Sequence, residues 1–248
     1  MDWTAEGFII GIRTHGEGSL VVEAMTAERG RHAGLVRGGR SPKAQATLQV
    51  GNTVRLVWRG RLDEHLGTFA VEALTSRAAR LMESRAATFG LQAMAALLRE
   101  LPERDPHPEL YEGAIVLLDH LDQPAVAGAL MVRFEMRLLE ELGFGLDLSS
   151  CAATGTRDDL VYVSPKSGRA VSRAAGEPYR ERLLPLPGFL LGRNGDPAPE
   201  AEALAAAFRV TGYFLEKHLA EPRGKPLAAA REAFVREVTE KPSPIGRG

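Results

Sequence analysis

Between residues 7 and 75 the apolar and polar positions repeat with a period of two: Phe8, Ile10 and Ile12, then Leu20, Val22 and Ala24, then Val54, Leu56 and Trp58, then Phe69, Val71 and Ala73. A strand turns alternate side chains to opposite faces, so each set marks the inward face of a predicted strand. Thr14 to Gly18, Arg29-Gly30 and Gly38-Gly39 supply turn residues between them. With Arg31–Arg37 counted as a further strand, five short strands in about 70 residues predict a small closed or partly open barrel of the OB type.

Beyond Leu74 the spacing becomes helical. Helices are predicted over Ser76–Leu101, stopped by Pro102, and over Glu109–Leu121, ending before Pro124. Val126, Leu130, Phe134, Leu138 and Leu142 then form an i, i+4 stripe, with Gly143 and Gly145 as terminating residues. The stretch from Ser150 to Gly195 is poor in helical periodicity and predicts a short hairpin, Leu160–Val163 with a turn over Ser164–Gly168, followed by an irregular loop. Two helices, Glu200–Leu219 and Pro226–Thr239, come before a Pro/Gly tail expected to fray. The expected class is therefore α+β and multidomain: an OB-fold barrel domain over 1–77, a mainly helical domain over 78–240 with an irregular, hairpin-bearing insertion at about 150–195, and a flexible tail over 241–248.

Composition narrows the chemistry. At 248 residues, 44% hydrophobic and 25% charged, the chain can bury an ordinary core. No run of about 18 apolar residues marks a membrane span, and MDWTAEGF lacks a secretory layout, so a cytoplasmic location is expected. Cys151 is the one cysteine, which excludes an internal disulfide and a multi-cysteine zinc site. The histidines form no HExxH pair, and Gly224-Lys225-Pro226 is no phosphate-binding loop. Asp119, His120 and Asp122 do not all converge from one helix, so a hydrolase built on them is a minor alternative. No catalytic residue, metal or cofactor is expected.

A net charge of -1 does not point to nucleic acid, but its distribution does: from Arg29 to Arg61 there are eight basic residues and no acid. Pleating sends Arg55 and Arg59 outward together, beside a loop carrying Arg37, Arg40 and Lys43 that is expected to be flexible. Trp58, in phase with the core, is expected to pack rather than to stack on bases. On the stripe helix Arg133 and Arg137 share one side, next to an apolar groove that can receive an acidic peptide, although Glu141 is placed to pair with Arg137.

The run Ala129-Leu130-Met131-Val132-Arg133-Phe134-Glu135-Met136-Arg137-Leu138-Leu139-Glu140-Glu141-Leu142-Gly143-Phe144-Gly145, continuing to Cys151-Ala152-Ala153-Thr154-Gly155, resembles a signature of the bacterial RecO family. Ile10-Gly11-Ile12-Arg13, Glu17-Gly18-Ser19-Leu20, Thr26 to Arg31, Val36 to Arg40, Lys225-Pro226-Leu227 and Arg231-Glu232-Ala233-Phe234 resemble the same family in the same order. The resemblance implies an N-terminal OB-fold, a helical domain and a non-enzymatic mediator of recombinational repair. Such a mediator binds and anneals single- and double-stranded DNA and engages the acidic C-terminal tail of the single-stranded-DNA-binding protein. Acting with RecR it helps to load RecA, in a cytoplasmic, nucleoid-associated setting. Some relatives carry a four-cysteine zinc module after the stripe helix; only Cys151 stands here, so metal binding is not carried over. DNA contact is expected from Arg37, Arg40, Lys43, Arg55 and Arg59, with Arg13 and Arg31 outside them, and partner contact from Arg133 and Arg137. Five neutralised phosphates on a single strand imply a log-affinity against log-salt slope of roughly -3.5. The alternative is a partner-docking scaffold that does not hold DNA.

Overall fold

The computed structural model describes residues 1–62, 64–192 and 199–240. The chain divides into two compact units, Met1–Asp122 and Gln123–Gly248. The expected tail over 241–248 and the end of the expected insertion, 193–195, lie outside the described residues.

The first unit opens with β1 (Asp2–His15), β2 (Ser19–Thr26), β3 (Gly30–Val36), helix α1 (Pro42–Thr47), β4 (Thr53–Arg59) and β5 (Thr68–Thr75). The strands close into a barrel in the order β1-β2-β3-β5-β4, in which β3 and β5 run parallel and pair at Leu35↔Thr68. Ile9, Leu20, Val22, Ala24, Val54, Leu56, Trp58 and Phe69 form its core. The alternation expected for β4 holds, whereas in β2 Leu20, Val22 and Ala24 face the barrel as expected but Val21 and Met25 on the opposite face are buried too. Trp58 is a packing residue, fully buried with its indole N–H donating to the Leu66 carbonyl at 3.0 Å.

In β1 the expectation fails. Phe8, Ile9 and Ile10 are all buried, while Ile12 is exposed. A register shift between Ile9 and Gly11 breaks the alternation. Ile9 fills the barrel, whereas Phe8 stacks on Tyr111 outside it, because helices cover the outer face of this strand. A strand buried on both faces reads as a continuous apolar run.

Helices α2 (Ala78–Met82), α3 (Arg85–Leu98) and α4 (Pro108–His120) complete the unit. The single helix expected over Ser76–Leu101 is split, because Ser84 takes an extended conformation and caps α3 by accepting from the Ala87 N–H at 3.2 Å. Asn52 anchors the strand-to-helix junction, its side-chain oxygen accepting from the N–H groups of Arg77 and Ala78 at 2.8 and 3.0 Å.

The second unit contains α5 (Pro124–Glu141), the hairpin β6 (Leu160–Val163) and β7 (Ala170–Ser172), the short helix α6 (Arg173–Gly176), β8 (Leu184–Pro185), α7 (Ala201–Leu215), the short α8 (Glu221–Arg223) and α9 (Ala229–Thr239). Gly143, with φ +85°, follows the end of α5 as its sequence position implies. The predicted stripe on α5 is displaced: Val126 is exposed and Leu130 and Leu142 half-buried, while Met131, Phe134, Glu135, Leu138 and Leu139 are buried. Packing against both α7 and α9 widens the covered face. Gly128 permits the approach of α7, for a Cβ there would lie 2.4 Å from Leu204 Cδ2.

No helix among the described residues is long and apolar enough to cross a membrane.

Candidate nucleic-acid interface

The turn after β3 and helix α1 carry cations out over the strands. Ser41 caps α1, accepting from the Ala44 N–H at 3.4 Å, with Pro42 opening the helix. Lys43 therefore sits on a helix rather than in the flexible loop expected from sequence. A cation in a first turn opposes the helix dipole, so helix stability is not the reason for its position. Arg40 braces the turn, donating to the Glu17 carbonyl at 3.0 Å.

Residues of α1, β3, β4 and β5 line a groove of about 730 Å³. Arg37, Lys43 and Arg59 line it over an aliphatic floor that includes Leu35, Val57 and Val71, and no acid is among its lining residues. None of the three has an ion-pair partner among the described residues. Three side chains up to 22 positions apart in sequence are thus brought to one acid-free groove, where they can neutralise a chain of phosphates.

The other expected cations are placed differently. Arg55 is outward and exposed, but pairs with Glu72 at 3.0 Å on one neighbouring strand and Glu6 at 3.6 Å on the other. Arg31 is mostly buried; its Nε donates to the Leu101 carbonyl at 3.1 Å, and its guanidinium pairs with Glu23 and, at 3.6 Å, with Glu103. Arg13 is exposed beside Arg31 in a separate cleft. Asp119 and Asp122 are ion-paired to Arg77 and Arg80, both at 2.6 Å, and His120 bonds the Val116 carbonyl, so that trio is divided among structural contacts.

In the second unit Arg133 and Arg137 line one groove of about 520 Å³ whose apolar wall comes from Met136, Leu146, Phe189 and Leu190. Arg137 is held by Glu141 at 2.8 Å and Glu140 at 3.1 Å, as its spacing implied. Arg133 is exposed and carries no partner among the described residues. Asp147 is also among the lining residues; hydrogen bonds from the Ser149 hydroxyl and N–H, then Arg169, hold its carboxyl below the ordinary carboxylate range.

Sequence reasoning overlooked a buried cluster that fixes the back of α5. Glu135 is fully buried and accepts from Arg231 of α9 at 2.7 and 2.9 Å and from the Thr211 hydroxyl of α7 at 2.5 Å. An acid inside an apolar helical stripe was the available signal. The cluster orients the helix so that Arg133 and Arg137 face the groove.

A closed barrel in this strand order, joined to a separate helical unit and bearing an acid-free cationic groove, defines an OB-fold protein of the α+β class. The family models "Recombination protein O N terminal" and "Recombination protein O C terminal" match residues 1–77 and 82–226. The chain is 58% identical over 247 residues to the DNA repair protein RecO of Rhizobium etli (strain CIAT 652), covering 100% of this chain and 96% of that relative. It is 60% identical over 235 residues to the DNA repair protein RecO of Sinorhizobium medicae (strain WSM419), covering 95% and 94% of the two chains. With that of Methylobacterium nodulans (strain LMG 21967 / CNCM I-2342 / ORS 2060) the identity is 59% over 238 residues, covering 95% and 97%. The chain belongs to the RecO family of recombination and DNA repair proteins.

Proposed function

We propose that this protein is a recombination mediator that makes and breaks no covalent bond, binding DNA through the barrel groove and protein partners through the helical unit. The observation that carries the DNA reading is the groove itself, with Arg37, Lys43 and Arg59 above an aliphatic floor and without ion-pair partners among the described residues, and with Arg40 in the turn that precedes α1. Guanidinium and ammonium groups there contact phosphates and carry no base code, so binding is largely independent of sequence. Annealing follows from charge: cations offset the repulsion between two strands for long enough for bases to pair. Arg55, already balanced by two acids, contributes less to this than its sequence position implied.

The groove beside Arg133 suits the acidic C-terminal tail of a single-stranded-DNA-binding protein, with apolar side chains against Phe189 and Leu190 and a carboxylate on the guanidinium. Engagement of RecR and help in loading RecA complete the proposed role.

The test is fluorescence anisotropy of a labelled mixed-sequence single strand at several salt concentrations. Four phosphates neutralised by Arg37, Arg40, Lys43 and Arg59 give a log–log slope of about -2.8. The triple variant Arg37→Ala/Lys43→Ala/Arg59→Ala should lose about 2 from that slope and most of the affinity. A near-zero slope for the unmodified protein refutes the DNA reading and leaves a partner-docking scaffold.

A further inference from the structure

A second cluster of cations lies on the same barrel, on the side of β1, β2 and β3. Arg99, at the end of α3, reaches across to donate from Nε to Glu23 at 2.9 Å and from its terminal nitrogen to the Ile10 carbonyl. It can do so because residue 11 is glycine: a Cβ there would stand 2.2 Å from that terminal nitrogen. Glu23 also pairs with Arg31, so one carboxylate holds two guanidinium groups side by side. Arg13 completes a cleft of about 380 Å³, exposed and without a partner among the described residues.

The charge count is informative. Arg13, Arg31 and Arg99 line the cleft against Glu23 and Glu103 alone, which leaves one net positive charge. One phosphodiester balances it. A guanidinium carries five N–H donors, and those spent on Glu23, Glu103 and the carbonyls leave terminal groups of Arg31 and Arg99 beside the whole of Arg13. Ile12, Val21 and Ala33 are its apolar lining, which offers no aromatic or bulky wall to anchor a peptide.

The cleft and the groove both draw lining residues from β3. Along β3 the residues Arg31, Ala33 and Leu35 alternate with buried ones and so share the outer face. Arg31 lines the cleft and Leu35 the groove, about 13 Å apart along the strand, with only the small Ala33 between them. We propose that Arg13, Arg31 and Arg99 form a second phosphodiester clamp, and that one nucleic-acid strand runs along the outer row of β3 from this clamp to the Arg37 groove. The inference rests on the reading of the barrel as a DNA-binding module.

The experiment compares the full-length protein with Arg13→Ala, Gly11→Ala and the triple groove variant, by anisotropy on single strands of about 4 and about 16 nucleotides, the span of OB-fold site sizes. Arg13 is exposed and has no partner among the described residues, so its removal should leave the melting temperature unchanged. Gly11→Ala displaces the Arg99 head while keeping every charge. Both variants should bind the short strand as the unmodified protein does. On the long strand the slope should become shallower by about 0.7 per lost phosphate contact, an effect of about fivefold over a tenfold change in salt. If the groove variant loses binding while Arg13→Ala and Gly11→Ala match the unmodified protein at both lengths, the clamp is refuted and the groove stands. Loss of binding to an acidic peptide by Arg13→Ala, with DNA binding intact, also refutes it. No binding of either strand by the unmodified protein overturns both readings.

Discussion

Replacing Arg231 by Met strips Glu135 of its charge partner in a site without solvent. Glu135 is fully buried and the Arg231 side chain 10% exposed, and among the described residues the carboxylate keeps, besides Arg231, only the Thr211 hydroxyl. Removing one member of a buried pair costs about 3–5 kcal/mol, because the remaining charge stays desolvated. A unit of roughly 120 residues unfolds with an entropy near 0.25 kcal/mol/K, so the transition of the second unit should fall by about 12–20 °C. Trp3 and Trp58 both belong to the first unit, so tryptophan emission follows the barrel while far-ultraviolet circular dichroism also reports the helices of the second. The expected result is an early loss of helical signal in Arg231→Met. Glu135→Leu combined with Arg231→Met should recover most of the stability, since a packed apolar pair carries no desolvation cost. A fall of less than about 4 °C in the single variant, equivalent to about 1 kcal/mol, would refute the reasoning.

Arg133→Ala should weaken binding of an acidic peptide with a free C-terminal carboxylate at least about tenfold, the effect of losing a charge-assisted hydrogen bond. Arg137→Ala should cost less, because Glu140 and Glu141 already share that charge; equal losses in calorimetric titration would contradict this assignment. Burial pushes the Cys151 thiol up, but hydrogen bonds from the Ser172 hydroxyl and N–H, Thr154 and Ala153 outweigh it and bring the pKa from 9.0 down to about 6. A folded-state pKa below the unfolded one adds stability that is complete above about pH 9 and lost as pH falls through about 6. The gap in urea midpoint between the unmodified protein and Cys151→Ala should therefore widen from pH 6 to pH 9, and a constant gap argues against a thiolate.

How much could be read in advance differs between elements for physical reasons. Strand β4 was legible because one face meets the barrel core and the other does not, which writes a period of two into the sequence. Gly143 and the β6–β7 hairpin were legible because turns and caps depend on local backbone conformation. The expected set Phe8, Ile10 and Ile12 missed Ile9 because cover from helices distant in sequence buries both faces of β1, and periodicity is silent about distant neighbours. The buried face of α5 was misplaced for the same reason.

Charge shows the division most plainly. The sequence alone determined that Arg29 to Arg61 is free of acids, and that Arg137 has Glu141 one helical turn away. Only the tertiary structure separated Arg37, Lys43 and Arg59, which share an open groove, from Arg31 and Arg55, which meet Glu23, Glu6 and Glu72 on neighbouring strands. It alone brought Arg99 to Arg31 and Arg231 to Glu135, across 68 and 96 positions. Whether a cation is free or balanced depends on strand register and helix docking, and those are set by burial of apolar surface at a distance.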